Sequence, residues 1–393
     1  MSLNLKYVLF DGIYHQKLKP LTLTRPVSDL RIGIFKIREK WELALNTMVS
    51  IRTKDYLSEK FNSNLDECEI GICSSLLPNP QLCDAINSLK ENTIMMRNGK
   101  LLAICPLPKE DDQINQKLSN YKLVQFTSEF SLIESPMDIF NLNGQEISND
   151  LKYLDKKNLQ KVSYGNGNLI IGDHVFIEEG ASISGATLNS SEGPIYISKD
   201  VEIMEGTNIR GPFVALENSV IKMGAKIYGP TTIGPSCKIG GELSNVVFQG
   251  FSNKAHDGFI GNSVIGCWCN FGADTNSSNL KNNYGKVKSW SYESESFEDT
   301  GNQYCGLITG DHSKSGINTM FNTGTVIGAF VNVFDGGFPP KFIPSFSWGD
   351  KESFETYKFD KAIEVAKVVM DRRGVDLDEK TIKIYRSLFE KVS

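Results

Sequence analysis

Every sixth residue from Ile197 to Ile239 is apolar: Ile197, Ile203, Ile209, Ala215, Ile221, Ile227, Ile233 and Ile239. Seven of these eight are isoleucine. Small residues often follow four positions later (Thr207, Ser219, Ala225, Thr231, Cys237), and glycines punctuate the run at Gly206, Gly211, Gly224, Gly229, Gly234 and Gly240. An amphipathic helix repeats its apolar residues near 3.6 and a half-buried strand at 2, so a period of six fits neither. It predicts a hexapeptide-repeat β-helix: six residues per flat face, three faces per triangular coil, isoleucines stacked inward, small residues at the tight corners. A β-sandwich with accidental spacing would not hold its phase over eight repeats. The ladder extends upstream through Ile171, Ile177 and Ile183. It continues downstream in a shifted phase through Phe259, Ile265 and Phe271, then Phe321, Ile327 and Val333.

The chain before this repeat has a different rhythm. Tyr7–Phe10 reads as a buried first strand ended by Asp11-Gly12, and a helix is predicted from about Ile34 to Ala44. Short apolar runs (Met48–Ile51, Glu69–Cys73, Thr93–Met96, Leu101–Cys105) then alternate with polar helical pieces such as Gln81–Leu89. That alternation predicts an α/β domain with a mainly parallel sheet over residues 1–150. It closes on a short helix at about Pro136–Phe140 and a polar link running to Asn149. Periodicity of six begins near Gly165 and defines a β-helix domain over 151–349. The stretch Asn276–Gln303 interrupts it as a long excursion of the kind that carries function on rigid scaffolds. Residues 350–393 read as a helical tail, with Asp350 as a cap and Gly374 between two helices. Such a tail suits covering the open end of a repeat fold.

Composition narrows the field. Apolar residues make 40% and charged residues 23% of the 393, ordinary for a globular protein. A net charge of −5 argues against nucleic acid as a partner. The eight cysteines are scattered, Cys267-Trp268-Cys269 being the tightest pair. No CxxC or zinc-type spacing occurs, so free thiols are expected. Without an apolar run of membrane length or a signal-type segment in Met1–Tyr14, the expectation is a cytoplasmic protein with no membrane partner.

Two longer motifs say more. The stretches Leu23-Thr24-Arg25-Pro26-Val27-Ser28-Asp29-Leu30-Arg31-Ile32-Gly33 with Ile37-Arg38-Glu39-Lys40-Trp41-Glu42, and Thr309-Gly310-Asp311-His312-Ser313-Lys314-Ser315-Gly316-Ile317-Asn318-Thr319, resemble a GlmU-related bifunctional family. That family makes UDP-N-acetylglucosamine, uridyltransferase first and acetyltransferase second, and the likeness is strongest to its alternative bacterial branch. The resemblance implies a nucleotidyltransferase-like α/β domain, a left-handed β-helix, a homotrimer with acetyl-CoA between adjacent helices, and small-molecule substrates. The pathway it implies feeds the cell envelope.

Acyl transfer from a thioester to an amine needs a base near neutral pKa, and histidine suits it. His256, in Asn253-Lys254-Ala255-His256-Asp257-Gly258-Phe259, sits beside the phase shift of the ladder and resembles the family's catalytic histidine. Asn270 and Ala273 follow at spacings similar to the family's sugar-side Asn and CoA-side Ala. The family's Asn-Tyr pair is supplied either by Asn279-Leu280 or by Asn283-Tyr284. Gly310, Asp311 and His312 fall on the cofactor side of the resemblance, with His312 divided between a structural and a CoA-contacting role. The family's Tyr three residues after the base is Phe259 here, so the acceptor need not be glucosamine-1-phosphate. His15 and His174 read as surface residues.

The first domain departs further. After the first strand there is only Asp11-Gly12, without a glycine-rich phosphate loop. Arg25 suits bidentate phosphate contact, with Arg31 and Lys40 as further charge. Mg²⁺-assisted transfer needs a carboxylate, yet Met96-Arg97-Asn98-Gly99-Lys100 offers none. Either the metal is held elsewhere, with Asp11 the candidate, or the domain binds a nucleotide sugar without making it. Three readings follow: a bifunctional sugar-nucleotide enzyme, a single-activity nucleotidyltransferase with a trimerising β-helix, or a non-catalytic nucleotide-sugar-binding trimer.

Overall fold

A computed structural model describes residues 6–61, 70–109, 120–154, 159–160 and 167–391 of the chain. Glu69 and Gly165, expected starts of a strand and of the repeat, lie outside them. Two compact units emerge. The first holds residues 1–18, 25–30 and 35–134, the second 19–24, 31–34 and 135–393.

In the first unit, β1 (Tyr7–Phe10), β2 (Ser50–Arg52) and β3 (Ile70–Cys73) run parallel in the order β2-β1-β3. Past a short strand outside this sheet, β4 (Leu76–Leu77), it continues through β6 (Lys100–Cys105), β5 (Thr93–Arg97) and β7 (Lys122–Gln125). β6 is antiparallel to both β3 and β5, so the sheet is mixed rather than mainly parallel. Asn98 and Gly99, both at positive φ, make the tight β5–β6 turn that only an antiparallel pair allows. Between the strands lie α1 (Tyr14–Lys17), α2 (Ile37–Leu45), α3 (Asp55–Phe61) and α4 (Pro80–Asn87). Trp41, fully buried on α2, donates to the carbonyl of Leu76 at 2.8 Å.

The second unit is a parallel β-helix. One face stacks Ile183, Ile203, Ile221 and Ile239 in register, a second stacks Ile177, Ile197, Ala215 and Ile233, and a third Leu188, Ile209 and Ile227. From Ile177 through Ile239, all of these but the partly buried Ile183 are buried in one core. At the edges the count slips by one: Ile171 and Phe259 turn outward and Ile170 and Ile260 take the inner positions, because a one-residue shift in a strand exchanges its faces. Two nine-residue strands, Glu242–Gly250 and Phe259–Cys267, run through a corner that other coils turn with a break. The corner is bridged by asparagines at positive φ, Asn245 and Asn262.

The segment expected to be a polar link is helical throughout: α5 spans Pro136–Asp150. Ser135 and Asp138 cap it reciprocally, and Pro136 occupies its first turn. Ile139, Phe140, Asn143 and Ile147 are buried, and α5 packs on the two long β-helix strands, within the second unit. The excursion begins after strand Asn276–Ser277, which is still part of the coil. It closes at its base through the Cys305 N–H donating to the Asn279 carbonyl, and folds a hairpin, Lys288–Ser291 with Ser296–Asp299. Trp290 of that hairpin stacks on Phe342 at 4.2 Å.

The tail forms α6 (Phe359–Asp371) and α7 (Glu379–Phe389), with Gly374 at φ +66° between them. Asp350 caps no helix; it accepts from the Glu352 and Ser353 amides in a turn. The helices pack along a corner column rather than over an end. Phe251, Trp268, His312, Phe330 and Phe346 stack there in successive coils, all at positive φ. Tyr385, Phe389 and Met370 lie against them.

Candidate functional sites

The C-terminal ends of parallel strands are where open α/β sheets bind ligands. In the first unit these ends present Asp11, Thr53 and Ser74, one residue past the paired ends of β1, β2 and β3. Asp11 is 1% exposed. Its carboxylate accepts from the Val27 N–H at 3.1 Å and the Thr53 hydroxyl at 2.6 Å. Burial pushes its pKa up to about 7, against the lowering effect of those hydrogen bonds and of Lys54. The buried hydroxyls of Ser28 and Ser75 find no partner among the described residues. His15 is buried rather than on the surface, edge-on to Tyr56 with Nε2 3.4 Å from its hydroxyl. The cost of desolvating an imidazole on α1 is reduced by that polar neighbour. His174 is exposed, as expected.

The three cations grouped by the sequence part company. Arg25 and Lys40 belong to the first unit and Arg31 to the second. Lys40 is 1% exposed. Burial pushes the Asp29 carboxyl up, but Lys36, Arg25 and Arg38 outweigh it and hold the carboxyl below its ordinary range. Lys36 reaches it at 2.9 Å. Arg31 is buried, its guanidinium on the Ile34 carbonyl. Its backbone is clamped by Gln249, which accepts from the Arg31 N–H at 2.7 Å and donates to its carbonyl at 3.0 Å. Next to it the Gly33 N–H donates to Asn143 and the Ile34 N–H to Asp150, both on α5. The Arg31-Ile32-Gly33 part of the motif therefore serves the packing of the β-helix unit.

On the β-helix, His256 stands exposed at a corner. Its coil pairs with the next through Asn253 and Asn270, in register, with the Asn253 amide donating to Asn270 Oδ1 at 3.2 Å. The same register sets Ala273 beside His256, and the Asp274 N–H donates to the Asp257 carbonyl at 3.1 Å. His256, Asn270 and Ala273 thus lie on two adjacent coils. Below them the Asn276 side chain accepts from the Phe259 N–H at 2.8 Å.

The other predicted residues lie elsewhere. Asn279 donates to Asn262 Oδ1 at 2.7 Å, extending the asparagine corner, and so carries a packing role. Gly261 leaves room between the Asn279 amide and the Phe259 ring. Asn283 and Tyr284 are exposed at the excursion's tip, where Asn283 accepts from Gly285 N–H. Gly310, Asp311 and His312 are buried. Asp311 accepts from the Thr24 hydroxyl at 2.6 Å and the Cys267 N–H at 2.7 Å, and His312 bonds Tyr385 at 3.0 Å inside the aromatic column. Inward packing takes the Asp311 and His312 side chains away from the surface that a cofactor would reach.

The sequence reading passed over Thr53, Ser75 and Lys254. Lys254 comes into view only through the register, in which Ile221 to Ile239 spans 18 residues but the next inner position comes after 15. Among the described residues no group of three or more His, Cys, Asp or Glu side chains is placed to hold a metal ion. No helix among them is long and apolar enough to cross a membrane.

The chain is an α/β unit followed by a parallel β-helix, and its similarities are to transferases. Residues 7–158 match the model of the sugar nucleotidyl transferase family, so this stretch is a domain of that kind. The chain is similar to the bifunctional protein GlmU of Synechococcus elongatus, 26% identical over 183 residues, 44% of this chain and 36% of that protein. It is similar also to the bifunctional sugar-1-phosphate nucleotidylyltransferase/acetyltransferase of Sulfurisphaera tokodaii, 28% identical over 148 residues, 37% of this chain and 36% of that protein. The match thus spans about a third of each relative's length. Among solved structures, the polySia-specific acetyltransferase NeuO is aligned over 49% of this chain and 82% of its own at 13% identity. With a TM-score of 0.29 it carries no argument. The GlmU-related resemblance read from the motifs holds.

Proposed function

We propose that the chain is a bifunctional enzyme of sugar-nucleotide biosynthesis, cytoplasmic and homotrimeric. In this reading the β-helix N-acetylates an amino sugar-1-phosphate with acetyl-CoA, and the first unit transfers a nucleotidyl group from UTP or another triphosphate to a sugar-1-phosphate. The product is UDP-N-acetylglucosamine or a similar nucleotide sugar, destined for the cell envelope.

The single observation carrying this reading is the exposed His256 at a corner, with Asn270 and Ala273 on the adjoining coil. An exposed imidazole can take a proton from an amine as the amine attacks the thioester carbonyl, and hand it to the departing sulfur. The amine nitrogen then bonds to the carbonyl carbon, the C–S bond breaks, and CoA leaves as the thiol. Asn270 binds the sugar, and the Ala273 corner lies along acetyl-CoA. A backbone N–H of the neighbouring coil stabilises the oxyanion.

In the head, Arg25 binds phosphate, and Asp11 is the carboxylate on hand for Mg²⁺. A magnesium ion held mostly by phosphate oxygens and water needs one or two protein carboxylates, which Asp11 fits. When bound, the ion supplies charge neutralisation at the triphosphate.

His256→Ala should remove CoA release from acetyl-CoA and glucosamine-1-phosphate by at least ~100-fold, the scale of general base catalysis. Unchanged turnover sinks the acetyltransferase reading. Arg25→Ala should abolish pyrophosphate release in a screen of nucleoside triphosphates against sugar phosphates. Release that survives the substitution removes Arg25 from the site.

A further inference from the structure

The inner column of the face carrying Asn253 reads Ile183, Ile203, Ile221, Ile239, and then a lysine, Lys254, before Phe271. Lys254 is 1% exposed, so a charged side chain occupies a position that four isoleucines hold in the coils before it. Burying an ammonium is costly unless its donors are met. Here they are met by backbone. Nζ donates to the carbonyl of His256 at 2.6 Å and to that of Asp257 at 2.8 Å.

We propose that Lys254 is a positioning residue for the His256 corner, holding from inside the coil the backbone that presents the imidazole outside. The inference rests on the reading of His256 as the base. The corner has no regular strand pairing of its own between Lys254 and Phe259. Its geometry is held by the two contacts from Lys254, the Asp274 N–H to the Asp257 carbonyl, the Glu242 N–H to the Gly258 carbonyl, and the Phe259 N–H to Asn276. Lys254 reaches both residues at the heart of the corner, one bond to the His256 carbonyl and one to that of Asp257. Gly241, at φ +71°, makes room for the arrangement. A Cβ there would lie 2.6 Å from the Gly258 carbonyl oxygen, 2.8 Å from Lys254 Nζ and 2.9 Å from the His256 carbonyl oxygen.

Two acids, Asp257 and Asp274, favour the charged form of Lys254, but burial outweighs them and brings its pKa down to about 8. Loss of that proton does not undo the contacts, because a neutral amine retains two N–H donors and two carbonyls are to be served. The device therefore works on either side of its own titration.

The test compares Lys254→Met with wild type and His256→Ala, on the full chain. Methionine keeps the length and apolar stem and removes the donors. A lysine that only filled space would be replaced without effect on rate, and the fold would hold or gain stability. If Lys254 positions the corner, amide hydrogen exchange at Asp274 and Phe259 rises about tenfold while the remaining β-helix stays protected. The kcat for acetyl transfer falls about 100-fold, the scale of a 1 Å misplacement, while KM for acetyl-CoA stays within about twofold. Lys254→Gln, which keeps a shorter polar donor in the column, carries the same expectation should Lys254→Met fail to fold. Unchanged exchange at both amides overturns the proposal whatever the rates do. Unchanged kcat beside an inactive His256→Ala also overturns it while leaving the base assignment intact. A fully active His256→Ala removes the base assignment instead, and exchange then decides the role of Lys254 alone.

Discussion

Asp11 offers the sharpest physical prediction. Its carboxyl is 1% exposed, at the carboxyl ends of three parallel strands, and burial raises its pKa from 3.8 to about 7. At about 1.36 kcal/mol per pKa unit, the folded chain holds that proton about 4 kcal/mol more tightly than the unfolded one. The extra affinity stabilises the fold fully below pH ~4, fades as the pH climbs, and is gone above ~7. Asp11→Asn removes the titration while keeping an oxygen for the Val27 N–H and an amide that the Thr53 hydroxyl can accept from after rotating. The stability of Asp11→Asn relative to wild type should therefore rise by about 3 kcal/mol between pH 4.5 and 8, the part of the titration inside that window. Trp41 is the sole tryptophan of the first unit and is fully buried, so its fluorine resonance in 5-fluorotryptophan-labelled protein reports the unfolding of that unit. Urea titrations read on that signal at each pH give the difference directly. A gap that stays constant from pH 4.5 to 8 would refute the argument that Asp11 is buried as an acid seeking a proton or a cation.

Two further substitutions test the packing that the motifs serve. Gly33→Ala places a Cβ 2.5 Å from Asp150 Oδ2 at φ +69°, and should destabilise the β-helix unit by roughly 2 kcal/mol or more in a thermal melt. A silent substitution would mean that the Arg31–Ile34 segment does not pack on α5 as described. Tyr385→Phe removes the hydroxyl 3.0 Å from His312 Nε2 and should cost about 1 kcal/mol, read by denaturant unfolding. No loss would place His312 outside a buried hydrogen bond.

The legibility of the chain was uneven, for physical reasons. A β-helix repeats its environment, so eight consecutive inner positions from Ile197 to Ile239 could be assigned without knowing any contact. The same counting failed at the edges. Extrapolating the ladder puts Ile171 and Phe259 inside, but a single-residue slip gives those positions to Ile170 and Ile260. The α/β head showed its strands but not their sense, because the antiparallel pairing of β6 depends on a two-residue turn rather than on hydrophobic pattern. The family resemblance picked out His256, Asn270 and Ala273, and the register sets them on adjacent coils. The resemblance could not distinguish them from Asn279, which has the right residue type and belongs to a packing ladder.

By itself the sequence determined what depends on periodicity: a β-helix after an α/β head, the place where its phase shifts, and a histidine at that place. Tertiary structure decided what depends on which side chain meets which. Asp311 and His312, prominent in the second motif, turned inward because Thr24, Tyr385 and a column of aromatic rings take up their polar atoms and faces. Lys254, an ordinary letter in the sequence, became notable only once a coil of 15 residues instead of 18 carried it into the core. Burial gives such a charge its meaning, and burial is a property of the folded neighbourhood rather than of the residue.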